Sequence, residues 1–303
     1  MKSAIRVAAL AAVCVAALSG PVQANHAWSN YHWQKGSGAL TVPVGDNVDS
    51  KWDIYLQQAM NGGPKASGGS GEGWNDVTGI IASPIVAGTS NPKNCKAVAG
   101  TIQVCNARYG NNGWLGIASI WLSGGHISQG TTKLNDTYFN TASYNTPAWR
   151  RLVTCQEVGH DYGLGHTNEI FTNYNDGTCM DYTNAPAGGT VGGTNYGPSN
   201  EYINAHDKDM LATIYGHSHQ SATNFGERTV GKGGGNNNAG GFSAAESEPG
   251  DSPGQWGRAI HHDGKGRPDV FELDLGNGKK KITHVFWTLE AKPHGGPHHD
   301  DDH

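Results

Sequence analysis

The stretch TCQEVGHDYGLGHTNE, residues 154–169, decides how the rest of the chain is read. Thr146 followed by Pro147 is a helix-start signal, so AWRRLVTCQEVGHDYG is expected to be helical and to stop near Gly163. On that helix Gln156 and His160 stand at i and i+4 and share a face, with Glu157 beside them. Gly163 can take the left-handed conformation that turns a chain back. His166 would then approach the same point from beyond the helix. Convergent ligands with a carboxylate alongside are how a catalytic zinc site with an open position is built. Gln156 is the odd member, a neutral amide where zinc prefers imidazole, thiolate or carboxylate.

With Gln156 standing in for a histidine, the spacing resembles HExxHxxGxxH, the zinc signature of the metzincin proteases. Glu157, His160, Gly163 and His166 carry the match. Beyond them CMDY supplies two more positions. Met180 resembles the methionine of the tight turn below the metal. Tyr182 has the spacing of the tyrosine that reaches the metal and the developing oxyanion in astacin-like and serralysin-like members. HDKDMLATIYG (206–216) resembles the C-terminal helix of matrixins. The resemblance is nearest to bacterial matrixin-like secreted proteases and covers about residues 39–217.

That resemblance implies an α+β fold of the zincin type, a twisted mixed sheet carrying an active-site helix. It implies a zinc ion on His160, His166 and Gln156, the last through its side-chain oxygen. Glu157 would be the general base, Tyr182 the oxyanion donor, and a polypeptide the substrate. GGHISQGTTKLND (124–136) would be the edge strand of the cleft, able to pair with an extended peptide. The matrixin latency switch needs a cysteine before the domain, and none lies between Ala24 and Cys95, so thiol-based latency is not expected. The glutamine leaves two readings open: a tolerated ligand in a working hydrolase, or a silent scaffold that binds peptides. His126 and His206 are alternative ligands, each more ordinary as a surface or capping residue.

The remaining signals concern compartment and partners. Lys2 and Arg6, an apolar run over Val7 to Leu18 and a small-x-small site at Val22-Gln23-Ala24 read as a secretory signal peptide over 1–24. Its removal takes the net charge from −5 to −7, which argues against nucleic acid as partner. No later run is apolar and long enough for a membrane span, so the chain is expected to be exported, soluble and monomeric. Cys95, Cys105, Cys155 and Cys179 then suggest two disulfides among three possible pairings. Cys95–Cys105, closing a short loop, with Cys155–Cys179 is the preferred pairing, and the resemblance makes the second a tie between the helix and the turn below the metal.

Along the chain, residues 25–38 read as an irregular arm, 39–217 as the catalytic domain, and 218–254 as a Gly/Asn/Ser-rich linker. VFELDL and KITHVFWTL flank a GNGK turn, so 255–291 reads as a small β-hairpin appendage, with adhesion as a third functional possibility. A His/Asp-rich tail, 292–303, closes the chain. NYNDG (173–177) offers oxygens for calcium, against the plainer reading of a turn.

Overall fold

Helix α3 begins where the sequence says it should. In a computed structural model of the chain, which describes residues 26–217 and 241–292, Thr146 is its N-cap and accepts a hydrogen bond from the Trp149 amide. The helix runs Pro147–Asp161 and is buried along most of its length. Gly163 ends it at φ 90°, with Gly163 N donating to His160 O and Leu164 N to Gly159 O. This paired closure is the glycine-dependent helix stop. A Cβ at residue 163 would stand 2.2 Å from the Tyr31 carbonyl oxygen, so only glycine fits.

The other elements follow in chain order. The first part holds β1 (His32–Trp33), β2 (Val44–Asn47), α1 (Asp53–Asn61), β3 (Gly63–Pro64), β4 (Ser70–Gly71), β5 (Ile85–Ala87), β6 (Ile102–Ala107), β7 (Trp114–Ser123), β8 (His126–Asn135) and α2 (Asp136–Phe139). After α3 come β9 (Gly189–Val191), β10 (Thr194–Gly197), α4 (Ala205–Tyr215), α5 (Pro253–Trp256), β11 (Arg258–His262), β12 (Pro268–Gly276) and β13 (Lys279–Trp287). The fold is α+β, built on one mixed sheet in the order β11-β12-β13-β7-β8-β6-β2-β5, with β1 added to β8. At its end β8 gives way to the short helix α2 at Asp136.

Two expectations about this sheet are corrected. The 124–136 strand is not an edge: β8 lies between β7 and β6. Nor does the C-terminal hairpin stand apart as an appendage. β13 pairs antiparallel with β7 from Lys279–Ser123 to Trp287–Trp114, so the hairpin continues the main sheet. WLGIASIWLS is apolar on both faces, so a layer must cover each of them. α3 packs on one face of the sheet. On the other, Trp114, Ile117, Val285, Trp287 and Phe271 enclose Trp256 in a second core.

The described end of the expected linker, from residue 241, is also packed. Trp121 donates to the Glu246 carbonyl, and Lys281 Nζ donates to the Pro249 carbonyl at 2.9 Å. The signal segment, residues 218–240 and the tail beyond Lys292 lie outside the described residues. No helix among the described residues is long and apolar enough to cross a membrane.

Both disulfides form as the preferred pairing has them, Cys95–Cys105 and Cys155–Cys179. The second fastens α3 to the segment carrying Met180 across a sequence separation of 24. Closing a loop of this size restricts the unfolded chain by about 3 kcal/mol. Replacing Cys155 and Cys179 together by alanine should therefore lower unfolding free energy by about that amount. Chemical denaturation of the two chains side by side measures it.

Candidate metal centre

The motif helix and the C-terminal hairpin meet at three histidines. His160 comes from α3, His166 from the segment that Gly163 turns back, and His284 from β13. Their ring centroids lie 4.8 Å (His160–His166), 4.6 Å (His166–His284) and 3.6 Å (His160–His284) apart. The last pair is nearly parallel, at 8°. One nitrogen from each falls within 4.8 Å of the others, close enough to share a metal ion.

The hydrogen bonds leave the right atoms over. His160 Nδ1 lies 2.7 Å from the Leu164 carbonyl oxygen, which only accepts, so Nδ1 carries the proton. His166 Nδ1 lies 3.2 Å from a Glu169 carboxylate oxygen. Nε2 of both rings is buried with no hydrogen-bond partner. A ring fixed through Nδ1 with a bare Nε2 is the outer-partner pattern of metal-ligating histidine. Burial, and then the neighbouring His166, hold His160 well below the usual imidazole range. Burial followed by His160 and His166 does the same to His284. Neutral imidazole is the form that binds a metal.

Gln156 is fixed through its amide nitrogen. Its Nε2 donates to the Cys179 carbonyl oxygen at 2.7 Å, while its Oε1 has no partner. The amide thus ties α3 to the disulfide-linked segment. His284 is the residue that sequence reasoning missed. The signal was available in KITHVFW, where Ile282, His284 and Phe286 share the strand phase that faces α3.

Of the remaining motif residues, Tyr182 packs against one of the three histidines. Glu157 is fully buried, and neither carboxylate oxygen has a partner of good geometry. It lies against Gly116 of β7. Burial, with Asp161 adding to it, pushes its carboxyl well above the usual range. Met180 packs its sulfur beneath Gly159, where a Cβ would approach it to 2.6 Å. Tyr182 lies with its ring 4.0 Å from that of His166, but its hydroxyl donates to Asp269 Oδ2 at 3.4 Å. His126 packs its ring against His32 and His206 against His26, and neither belongs to the three-histidine group. NYNDG is an irregular loop in which the Asn175 amide donates to the carbonyls of Ala185 and Pro198. The N-terminal arm, which carried no assignable chemistry, walls the site: Ala27 bridges to Leu164, and the Trp28 ring sits 4.7 Å from His284.

Gly116 is a sharp test of this packing. A Cβ there would meet Val153 Cγ1 at 2.6 Å and Glu157 Cγ and Oε1 at 2.8 Å. Gly116→Ala should cost about 1–3 kcal/mol by overpacking, read from denaturant midpoints, and should reduce any Glu157-dependent activity along with it.

No protein-family model matches the chain, and no curated protein matches it in sequence.

Proposed function

We propose that this chain is a metal-dependent peptide-bond hydrolase of metzincin-like design, with His160, His166 and His284 as its metal ligands. The observation that carries this reading is the pair of buried, partnerless Nε2 atoms on His160 and His166 with the His284 ring against them. Bare buried imidazole nitrogens cost free energy unless something binds them. Three neutral imidazoles suit zinc, one of the transition metals that take such ligands. In such a site it would act as a Lewis acid and lower the pKa of a water.

The protein's own part falls to named residues. Leu164 O and Glu169 hold the two rings in the binding tautomer. Glu157, beside His160 on the helix and walled by Gly116, is the group to take a proton from the attacking water and pass it to the leaving amine. Since β13 fills the side of β7, a free sheet edge remains at β11, which borders the recess beside His166 and His284. An extended polypeptide can add to such an edge. Export fits the two disulfides.

A silent metal-binding scaffold is the second reading, favoured by one observation: His160, His284 and Glu157 are each no more than 2 % exposed. The deciding experiment is cleavage of an unfolded protein by the purified chain in zinc, with and without a chelator. Chelator-sensitive cleavage supports the hydrolase. Bound zinc without cleavage leaves the scaffold.

A further inference from the structure

The motif tyrosine is engaged where the resemblance would have it free. Tyr182 is 1 % exposed and directs its hydroxyl at Asp269. With β13 seated on β7, the described opening toward the histidines is a recess of about 310 Å³. His166, His284, Glu169, Ile260 and His261 line it. A substrate carbonyl that approached the ligand nitrogens would pass these side chains.

Of the ionisable groups among these, His261 can donate a hydrogen bond into the recess in its doubly protonated form, without giving up a ligand nitrogen. Glu169 accepts from His166 and has no proton to offer when ionised. His261 differs. Its Nδ1 lies 2.8 Å from Asp269 Oδ1, and Asp269 is fully buried. A carboxylate only accepts, so Nδ1 carries a proton and the ring is held in one orientation. Its Nε2 is turned out 3.6 Å from Glu169 Oε1. The His261 side chain is 46 % exposed, so a ligand can reach it.

We propose that His261, oriented by Asp269, is the hydrogen-bond donor that meets the peptide carbonyl oxygen as charge develops on it, the part the motif would give to Tyr182. The proposal rests on the metal-hydrolase reading above. The charged groups that face His261 agree with it. Asp269 on β12, then Glu169 and Asp263, raise its pKa against the opposing effect of burial, which keeps Nε2 protonated further toward neutral pH. Tyr182 then has a different task. Together with His261 it satisfies Asp269, which would otherwise be a bare buried carboxylate.

The test uses the full chain loaded with zinc. His261→Phe keeps a ring and removes both nitrogens. Three quantities are compared with the unaltered protein: zinc per chain, kcat and KM on a peptide, and calorimetric affinity for a peptide phosphonate beside its parent amide. The expected result is unchanged zinc, kcat lower by about 100-fold as for loss of one oxyanion donor, and KM within about threefold. Phosphonate affinity should fall by a similar factor while amide affinity holds, since only the phosphonate carries the developing charge. Asp269→Asn, as a positioning change, should move the limb of the pH profile set by His261 to lower pH, a shift that a merely structural role would not produce. Unchanged kcat and phosphonate affinity in His261→Phe overturn the proposal. So does loss of zinc together with activity, which would make His261 a support for His166. A zinc-loaded unaltered chain that neither cleaves peptide nor binds phosphonate overturns the hydrolase reading, and this inference with it.

Discussion

His284→Ala should empty the metal site while Gln156→Met leaves it filled. The two substitutions separate the ligand set of the motif from the one the fold assembles. His284 offers an imidazole nitrogen within 4.8 Å of those of His160 and His166. Gln156 gives its amide to the Cys179 carbonyl. Losing a partner that merely orients a ligand already costs about 10–100-fold in metal affinity, so losing a ligand should cost more than about 100-fold. Gln156→Met forfeits one hydrogen bond to Cys179, about 1–3 kcal/mol of stability, and should leave the three histidines as ligands. Zinc per chain after dialysis is the first readout. The second is melting temperature, which zinc should raise in the unaltered chain and in Gln156→Met but hardly at all in His284→Ala. Zinc retained by His284→Ala and lost from Gln156→Met would return the ligand role to the glutamine.

The same pair of residues shows what local sequence could and could not reveal. α3 was legible to its ends because its signals are local: Thr146 with Pro147 at the start, Gly163 at the stop, and His160 and His166 placed by that geometry alone. Both disulfides were legible because so few pairings existed. β7 was legible as a strand, yet its neighbour was not, because which strand an apolar strand pairs with is set by contacts far apart in the chain. That hidden pairing misread the hairpin as an appendage and β8 as an edge. It also concealed His284, Asp269 and His261, which reach the site only because β11, β12 and β13 extend the sheet past α3. A motif with one ligand missing was thus a statement about the helix alone. Removing the hairpin to test it as an adhesion module would also strip a candidate ligand and bare the edge of β7.

Glu157→Gln should abolish cleavage, keep the metal and make the protein more stable. Glutamine has the shape of glutamate, so the pocket against Gly116 stays filled and the three histidines stay where they are. What it lacks is a carboxylate to take a proton, and loss of general-base catalysis costs about 10²–10⁴-fold. The gain in stability follows from burial. Glu157 is fully buried without a well-aligned partner, and its carboxyl is held well above the usual range, first by burial and then by Asp161. Below the pH at which a free glutamate ionises, neither the folded nor the unfolded chain carries this charge, and there is no penalty. As pH rises past that point the unfolded chain ionises first, so stability falls until the folded carboxyl ionises too. Glutamine has no such transition. The metal-free variant should therefore match the metal-free parent near pH 4 and exceed it at pH 7 by about 1–3 kcal/mol, the usual cost of an unsatisfied buried group. Denaturant unfolding at the two pH values, in chelator, gives the difference. A variant that is inactive but no more stable at pH 7 would mean that Glu157 has a partner after all, and that its carboxyl is not waiting for a water. An active variant would remove Glu157 from the chemistry and leave Glu169, the acid that lines the recess, as the base to examine.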